Sequence, residues 1–171
     1  MVPSYQEDEA LAWTLDLIGE RWTLLIVRDL LLGPARFTDL SQGLPRLSRN
    51  LLTARLRRLE EEGLVQRRQL PPPAATQVYE ITEEGWSLAR IVAPLSVWGL
   101  RRLGPELALA GFRASTFAIG MVAFADPAAA EGIDHTCQFD IDGESFHIRI
   151  EDGSIRPHRG PAAKPDVVVN T

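Results

Sequence analysis

The chain has a single cysteine, Cys137, so no disulfide can close within its 171 residues. Its three histidines, His135, His147 and His158, all lie in the C-terminal third. Only His135 and Cys137 have useful spacing on a strand face, and a metal site needs three or four converging ligands. No metal and no cofactor is therefore expected. The sequence also lacks a glycine-rich phosphate cradle, a nucleophile elbow and a cysteine pair, so no catalytic set emerges and the chain is read as a non-enzyme. No apolar run approaches the ~18–20 residues of a membrane-spanning helix. The most apolar stretch, residues 24–32, is interrupted by Arg28 and Asp29. The acidic N-terminus lacks the basic-then-apolar layout of a signal peptide, and a cytoplasmic location is expected.

The net charge of −5 would by itself argue against nucleic acid. Its distribution says otherwise. Residues 1–103 carry 13 arginines against 13 acidic groups, so the whole deficit falls on residues 104–171, with 5 basic and 10 acidic residues. Within the neutral half, residues 46–68 hold seven arginines and three glutamates, a local +4. A basic element of that kind is enough to meet the phosphates of a duplex.

Hydrophobic periodicity predicts a helix over residues 7–18 and a second from about Arg21 to Leu32, stopped by Gly33-Pro34. A short third helix from about Arg36 to Gln42 turns Phe37 and Leu40 inward. A fourth spans residues 48–62, with Ser48 as N-cap and Gly63 as its end. Alternation then predicts strands at 64–69 and 77–82, joined by a proline-rich loop, and a long helix over 83–103 with a kink or break at Pro94. A boundary is expected near Gly104-Pro105 or Gly111. Beyond it, residues 105–122 are helix-permissive, residues 137–150 form a hairpin turning at Asp142-Gly143, Asp152-Gly153 turns again, and residues 166–170 make a short strand. The fold class is α+β: a winged helix-turn-helix domain, residues 1–104, followed by a small α/β segment with a β-hairpin or meander, residues 105–171.

In a winged helix the helix before the hairpin enters the major groove and the hairpin loop touches the flanking backbone. Helix 48–62 suits that role. Leu52, Leu56 and Leu59 form an inward stripe, extended by Leu51, while Arg49, Asn50, Thr53 and Arg57 occupy the opposite face. Arginine can bridge guanine, and asparagine adenine, through two hydrogen bonds. Arg46, Ser48, Arg49, Asn50 and Thr53 are thus candidates for the groove, and Arg55, Arg57 and Arg58 for phosphate. The alternative for the arginines is a solvated face paired with Glu60, Glu61 and Glu62, Glu61 lying four residues from Arg57 and Glu62 four from Arg58. Arg67 and Arg68 stand at the base of the wing. Its prolines, Pro71, Pro72 and Pro73, either lie along a groove wall or only stiffen the loop.

The segments LDLIGERWTLLIVRDLLLGPARFTDL, LSRNLLTARLRRLEEEGLVQRR and VYEITEEG resemble the HxlR-type winged-helix regulators of bacteria over residues 9–103. That resemblance implies a homodimer joined through the first and last helices of the domain and bound to an inverted repeat. It would account for apolar residues at Leu11, Trp13, Leu15, Trp86, Ile91, Leu95 and Trp98, which could alternatively be core. Many members of that family carry a cysteine at the start of the first helix, some as a sensor of electrophiles or oxidants. Counting back from Gly19 puts Glu9 there, which excludes thiol sensing through that position. Cys137, on an apolar strand face, is read as a small core residue rather than a sensor. Residues from Cys137 onward resemble the strand region of sterol-carrier-protein-like domains, without the helices that would complete that fold. This resemblance implies a small apolar effector bound near Phe117, Phe124, Phe139 and Phe146, which could instead be a small hydrophobic core. The partners expected are double-stranded DNA, a second copy of the chain and such an effector. The competing function is an apolar-ligand binding protein that uses its helix-turn-helix only to dimerise, and a steep salt dependence of DNA affinity separates the two.

Overall fold

The computed structural model describes residues 5–72, 75–103, 113–141 and 143–170. The chain divides into two compact units, Met1–Leu30 with Pro34–Trp86 and Leu31–Gly33 with Ser87–Thr171.

The first unit opens with α1, Ala10–Ile18. Glu9 caps it, its carboxylate accepting hydrogen bonds from the Leu11 and Ala12 N–H groups at 2.8 and 3.1 Å. Helix α2, Thr23–Leu30, is shorter at both ends than the periodicity predicts. Trp22 sits at φ 82°, in the left-handed region that a helix cannot include, so α2 starts only after it. At the other end Leu32 is drawn into the core of the second unit with Ala118, Phe146 and Ile148. Its carbonyl accepts from Arg159 N–H at 2.8 Å. Helix α3, Phe37–Gly43, follows, then α4, Arg49–Glu61. Strands β1, Val65–Gln69, and β2, Gln77–Ile81, pair antiparallel from Val65↔Ile81 to Gln69↔Gln77. Ala35 bridges Tyr79 through two backbone hydrogen bonds, 2.9 and 2.8 Å, and so anchors the base of the hairpin. The wing tip keeps Pro71 and Pro72 exposed, and Pro73 lies outside the described residues.

The single long helix predicted over 83–103 is two helices, α5, Glu83–Trp86, and α6, Ala89–Leu100. The break falls at Ser87-Leu88, where Arg90 and Ile91 bond three residues back to the Ser87 and Leu88 carbonyls. Pro94 is instead accommodated within α6. The position of α5 is fixed from outside. Thr82 Oγ1 donates to the Gly63 carbonyl at 2.7 Å and accepts from Gly85 N–H at 3.0 Å. Gly85 itself lies so close to the chain that a Cβ there would come within 2.1 Å of the Leu64 carbonyl oxygen.

In the second unit α6 is followed by α7, Ala114–Phe124. The predicted boundary at Gly104-Pro105 or Gly111, and the first part of the predicted helix over 105–122, lie outside the described residues. Strands β3, Asp134–Ile141, β4, Glu144–Glu151, β5, Ser154–Arg159, and β6, Val167–Asn170, form one sheet in the order β5-β4-β3-β6. Only the β3–β6 pair is parallel. The Asp142 half of the first predicted turn is outside the described residues. Asp152 and Gly153, at φ 44° and 78°, make the second. Alternation did not reveal β5, whose Pro157 is admissible because the strand is an edge. Phe139 and Phe146 stack at 5.0 Å within the core of this unit, and Phe117, itself exposed, meets both edge-on at 6.4 Å.

Two tests follow from this packing. Gly85→Ala forces the Leu64 backbone to move, and should lower unfolding stability by about 1–3 kcal/mol in a urea titration. His147 and His158 are cross-strand partners with rings stacked at 5.0 Å. Burial, then the charges of His147, Arg149 and Arg156, hold His158 below its ordinary pKa. A group with a depressed folded-state pKa stabilises fully above its unfolded value, and that contribution is lost as pH falls through the folded one. The urea midpoint should therefore drop as pH falls below the usual imidazole range, and His158→Gln should flatten that drop.

Candidate nucleic-acid interface

The outward face of α4 is set by what the helix buries. Leu52, Leu56 and Leu59 are within 1% of complete burial, which leaves Arg49, Asn50, Thr53 and Arg57 exposed together. The helix begins where the sequence predicts, with Leu51 N–H donating to Ser48 Oγ at 3.3 Å. Just before it, Leu44 and Leu47 are both buried and joined by a 2.9 Å backbone hydrogen bond, a turn that holds Pro45 and Arg46 outside. Arg46 and Ser48 are thereby brought to the same end of α4 as Arg49 and Asn50. At the other end Gly63, at φ 69°, closes the helix and turns the chain into β1.

Pairing divides the arginines into two groups. Five of the seven in residues 46–68 face a carboxylate: Arg55 with Glu20, Arg57 with Glu61, Arg58 with Glu62, Arg67 with Glu60 and Arg68 with Glu80. Arg46, Arg49 and Asn50 have no ion pair or side-chain hydrogen bond among the described residues. The Arg49 guanidinium lies 5.2 Å from the Phe37 ring centroid, a cation–π contact that steadies it without using its donors. Phe37, predicted to point inward, is half-buried and serves as that platform, while Leu40 is buried as expected. Thr53 donates its hydroxyl to the Arg49 carbonyl at 2.9 Å, which keeps only its acceptor lone pairs outward.

The paired arginines are not equivalent. Arg57 and Glu61 are 76% and 50% exposed, and Arg58 is also open to solvent. Exposed pairs of this kind contribute only about 0–1 kcal/mol, so a phosphate can take the place of the carboxylate. On the wing, Arg68 makes a two-pronged bond to Glu80 at 2.8 and 3.0 Å, and Arg67 spans Glu60 and the Tyr79 ring. Both remain about 45% exposed. Arg55, predicted to hold phosphate, is the most covered of the five. Its side chain, 19% exposed, is held between Glu20 and the Arg21 carbonyl and ties α4 to the α1–α2 turn.

The residues singled out for dimer contact stand apart from the cores of both units. In the first unit Leu11, Trp13 and Leu15 are exposed on α1, Trp13 by 63%. In the second, Ile91, Leu95 and Trp98 are exposed on α6, with Arg102 stacked 4.5 Å from the Trp98 ring. Trp86 is half-buried and differs from the others. Sequence reasoning named Glu60 among the pairing carboxylates without assigning it to Arg67, and it missed Glu20, Glu80 and Phe37 as partners, since only the i,i+4 pairs have a signature in sequence.

A family profile described as HxlR-like helix-turn-helix matches residues 17–106. The chain is 37% identical over 92 residues to YvaP, an uncharacterized HTH-type transcriptional regulator of Bacillus subtilis, covering 54% of this chain and 85% of that one. It is 34% identical over 82 residues to the HTH-type transcriptional regulator YodB of the same organism, covering 48% and 73%. The solved reduced form of YodB superposes with a TM-score of 0.51 at 29% identity, over 58% of this chain and 98% of that one.

The sorting of the arginines is testable by separating stability from charge. Arg55→Ala removes one half of a mostly covered ion pair, and should lower unfolding stability by about 1–2 kcal/mol. It should leave the slope of log DNA affinity against log salt unchanged. A flatter slope for this variant would return Arg55 to the phosphate contacts.

Proposed function

The chain belongs to the HxlR-like helix-turn-helix family, and on that premise we propose that it is a transcription regulator that binds an inverted-repeat operator in double-stranded DNA as a homodimer. Helix α4 reads the major groove, with Arg46, Ser48, Arg49, Asn50 and Thr53 at or near base edges. Arg57 holds phosphate, and Arg67 and Arg68 bring the wing to the flanking backbone. The observation that carries this reading is the group of uncommitted donors at the N-terminal end of α4. Arg46, Arg49 and Asn50 are free of carboxylates in a region where the other arginines are paired. A merely solvated helix face has no reason to leave its free groups at the end that a recognition helix presents to bases.

Homodimerisation is supported by the exposed apolar groups on α1 and α6, Leu11, Trp13, Leu15, Ile91, Leu95 and Trp98. Trp86 joins them on the family resemblance. The strand segment beginning at Cys137, with its likeness to sterol-carrier-protein-like domains, supports reading the second unit as the effector-binding part. Among the described residues no helix is long and apolar enough to cross a membrane, and a chromosomal target puts the protein in the cytoplasm.

Selection of bound duplexes from a random pool tests the proposal. It should recover an inverted repeat with half-sites about one helical turn, ~34–36 Å, apart. On that duplex Arg49→Ala or Asn50→Ala should each cost about 1–3 kcal/mol and relax specificity at one position, while Arg57→Ala weakens specific and random DNA alike. Equal loss on both kinds of DNA for Arg49→Ala would remove it from the base-reading set. No enrichment together with a flat salt response would overturn the function.

A further inference from the structure

Helix α6 divides its surface among three uses. Ala89 and Val92 are buried, Ile91, Leu95 and Trp98 are open to solvent, and Ser96, Val97 and Leu100, with Leu103 just past the helix, line a groove beside α7 in which Leu100 and Leu103 stay about half exposed. Facing them, α7 offers Phe117, Gly120, Met121 and Phe124, a stripe at helical spacing. Between the two helices lies a groove of about 420 Å³, within the ~300–1,000 Å³ typical of small-ligand sites. Its walls are apolar apart from Ser96, Thr116 and Arg113, and the Ser96 hydroxyl is already committed to the Val92 carbonyl at 2.8 Å.

Two glycines mark the groove as open space rather than close packing. A Cβ built on Gly99 or on Gly120 meets no atom of the described residues within 4 Å. Glycine inside a helix costs about 1 kcal/mol relative to alanine, and here it brings no close approach in return; what it leaves is room. At one end stands Arg113, the N-cap of α7, exposed and with no ion pair or hydrogen bond among the described residues. An apolar trough with a guanidinium at its end that meets no carboxylate among the described residues fits one class of ligand.

We propose that the α6–α7 groove binds an amphipathic anion, with the apolar body lying over Gly99 and Gly120 and a carboxylate accepting two hydrogen bonds from Arg113. The site overlaps only in part the apolar pocket expected near Phe117, Phe124, Phe139 and Phe146. Phe139 and Phe146 are consumed by the core, and of the four phenylalanines only Phe117 and Phe124 line the groove. Ligand binding here does not depend on the regulator reading; only its role as an effector rests on that reading.

Dodecanoate and dodecanol, titrated calorimetrically into the full chain, test the assignment. Dodecanoate should bind at one site per chain and dodecanol about tenfold more weakly or less, the difference a charged hydrogen-bonded pair supplies. Arg113→Ala should bring dodecanoate down to the alcohol's affinity. Gly120→Leu and, independently, Gly99→Val should abolish binding of both while the circular dichroism spectrum stays that of the parent. Absence of dodecanoate binding to the parent, or undiminished binding in both filled-glycine variants, overturns the proposal. DNA affinity of the same variants without ligand, followed over salt, reads the regulator function separately, so either reading can fail while the other stands.

Discussion

Everything the first unit offers to a duplex depends on the burial of three leucines, because the face that α4 presents outward is whatever Leu52, Leu56 and Leu59 leave exposed. Each such side chain contributes roughly 1.5–3 kcal/mol by leaving water, far more than any of the exposed ion pairs on the opposite face. Rotating α4 to exchange those faces would forfeit the core, so the orientation of Arg49 and Asn50 is fixed by apolar packing alone. The same burial holds Leu44 and Leu47 beneath the preceding turn and so keeps Arg46 beside them. The donors proposed to read bases are thus positioned by side chains that lie in the core.

On that fixed face, ion pairing does the finer sorting. Glu20 withdraws Arg55 into the fold, Glu60 and Glu80 steer Arg67 and Arg68 along the wing, and the solvent-exposed Arg57–Glu61 pair is weak enough to exchange. Phe37 supports Arg49 from its flat side and leaves its donors open. Glu9, at the position where relatives with a sensing thiol would carry cysteine, has a structural task instead, since its carboxylate caps the first turn of α1. On the proposal above, an effector would instead reach the chain at the α6–α7 groove, where Arg113 has no ion pair among the described residues.

Features governed by local periodicity were legible in the sequence. The leucine stripe of α4, the Ser48 cap, the two wing strands and the i,i+4 pairs could all be read from residues a few positions apart. What escaped depends on residues distant in the chain. The end of α2 reflects Leu32 packing with Phe146 and Ile148, and the seat of α5 reflects the close approach of Gly85 to the Leu64 backbone. Strand β5 was hidden because Pro157 is acceptable only at a sheet edge, and which strand is the edge is a property of topology. The partners of Arg55, Arg67 and Arg68 were invisible for the same reason. So was the α6–α7 groove, since nothing in sequence separates a glycine that permits close packing from one that leaves space.

If the N-terminal end of α4 lies in the major groove of each half-site, as proposed, a DNA-cleaving iron chelate on the thiol of Asn50→Cys, in a Cys137→Ser background, should cut the selected operator at two centres. These should be symmetric about the dyad, each in a major groove and separated by about one helical turn. Diffuse cleavage along the duplex, or cleavage confined to the outer flanks of the site, would rule that placement out.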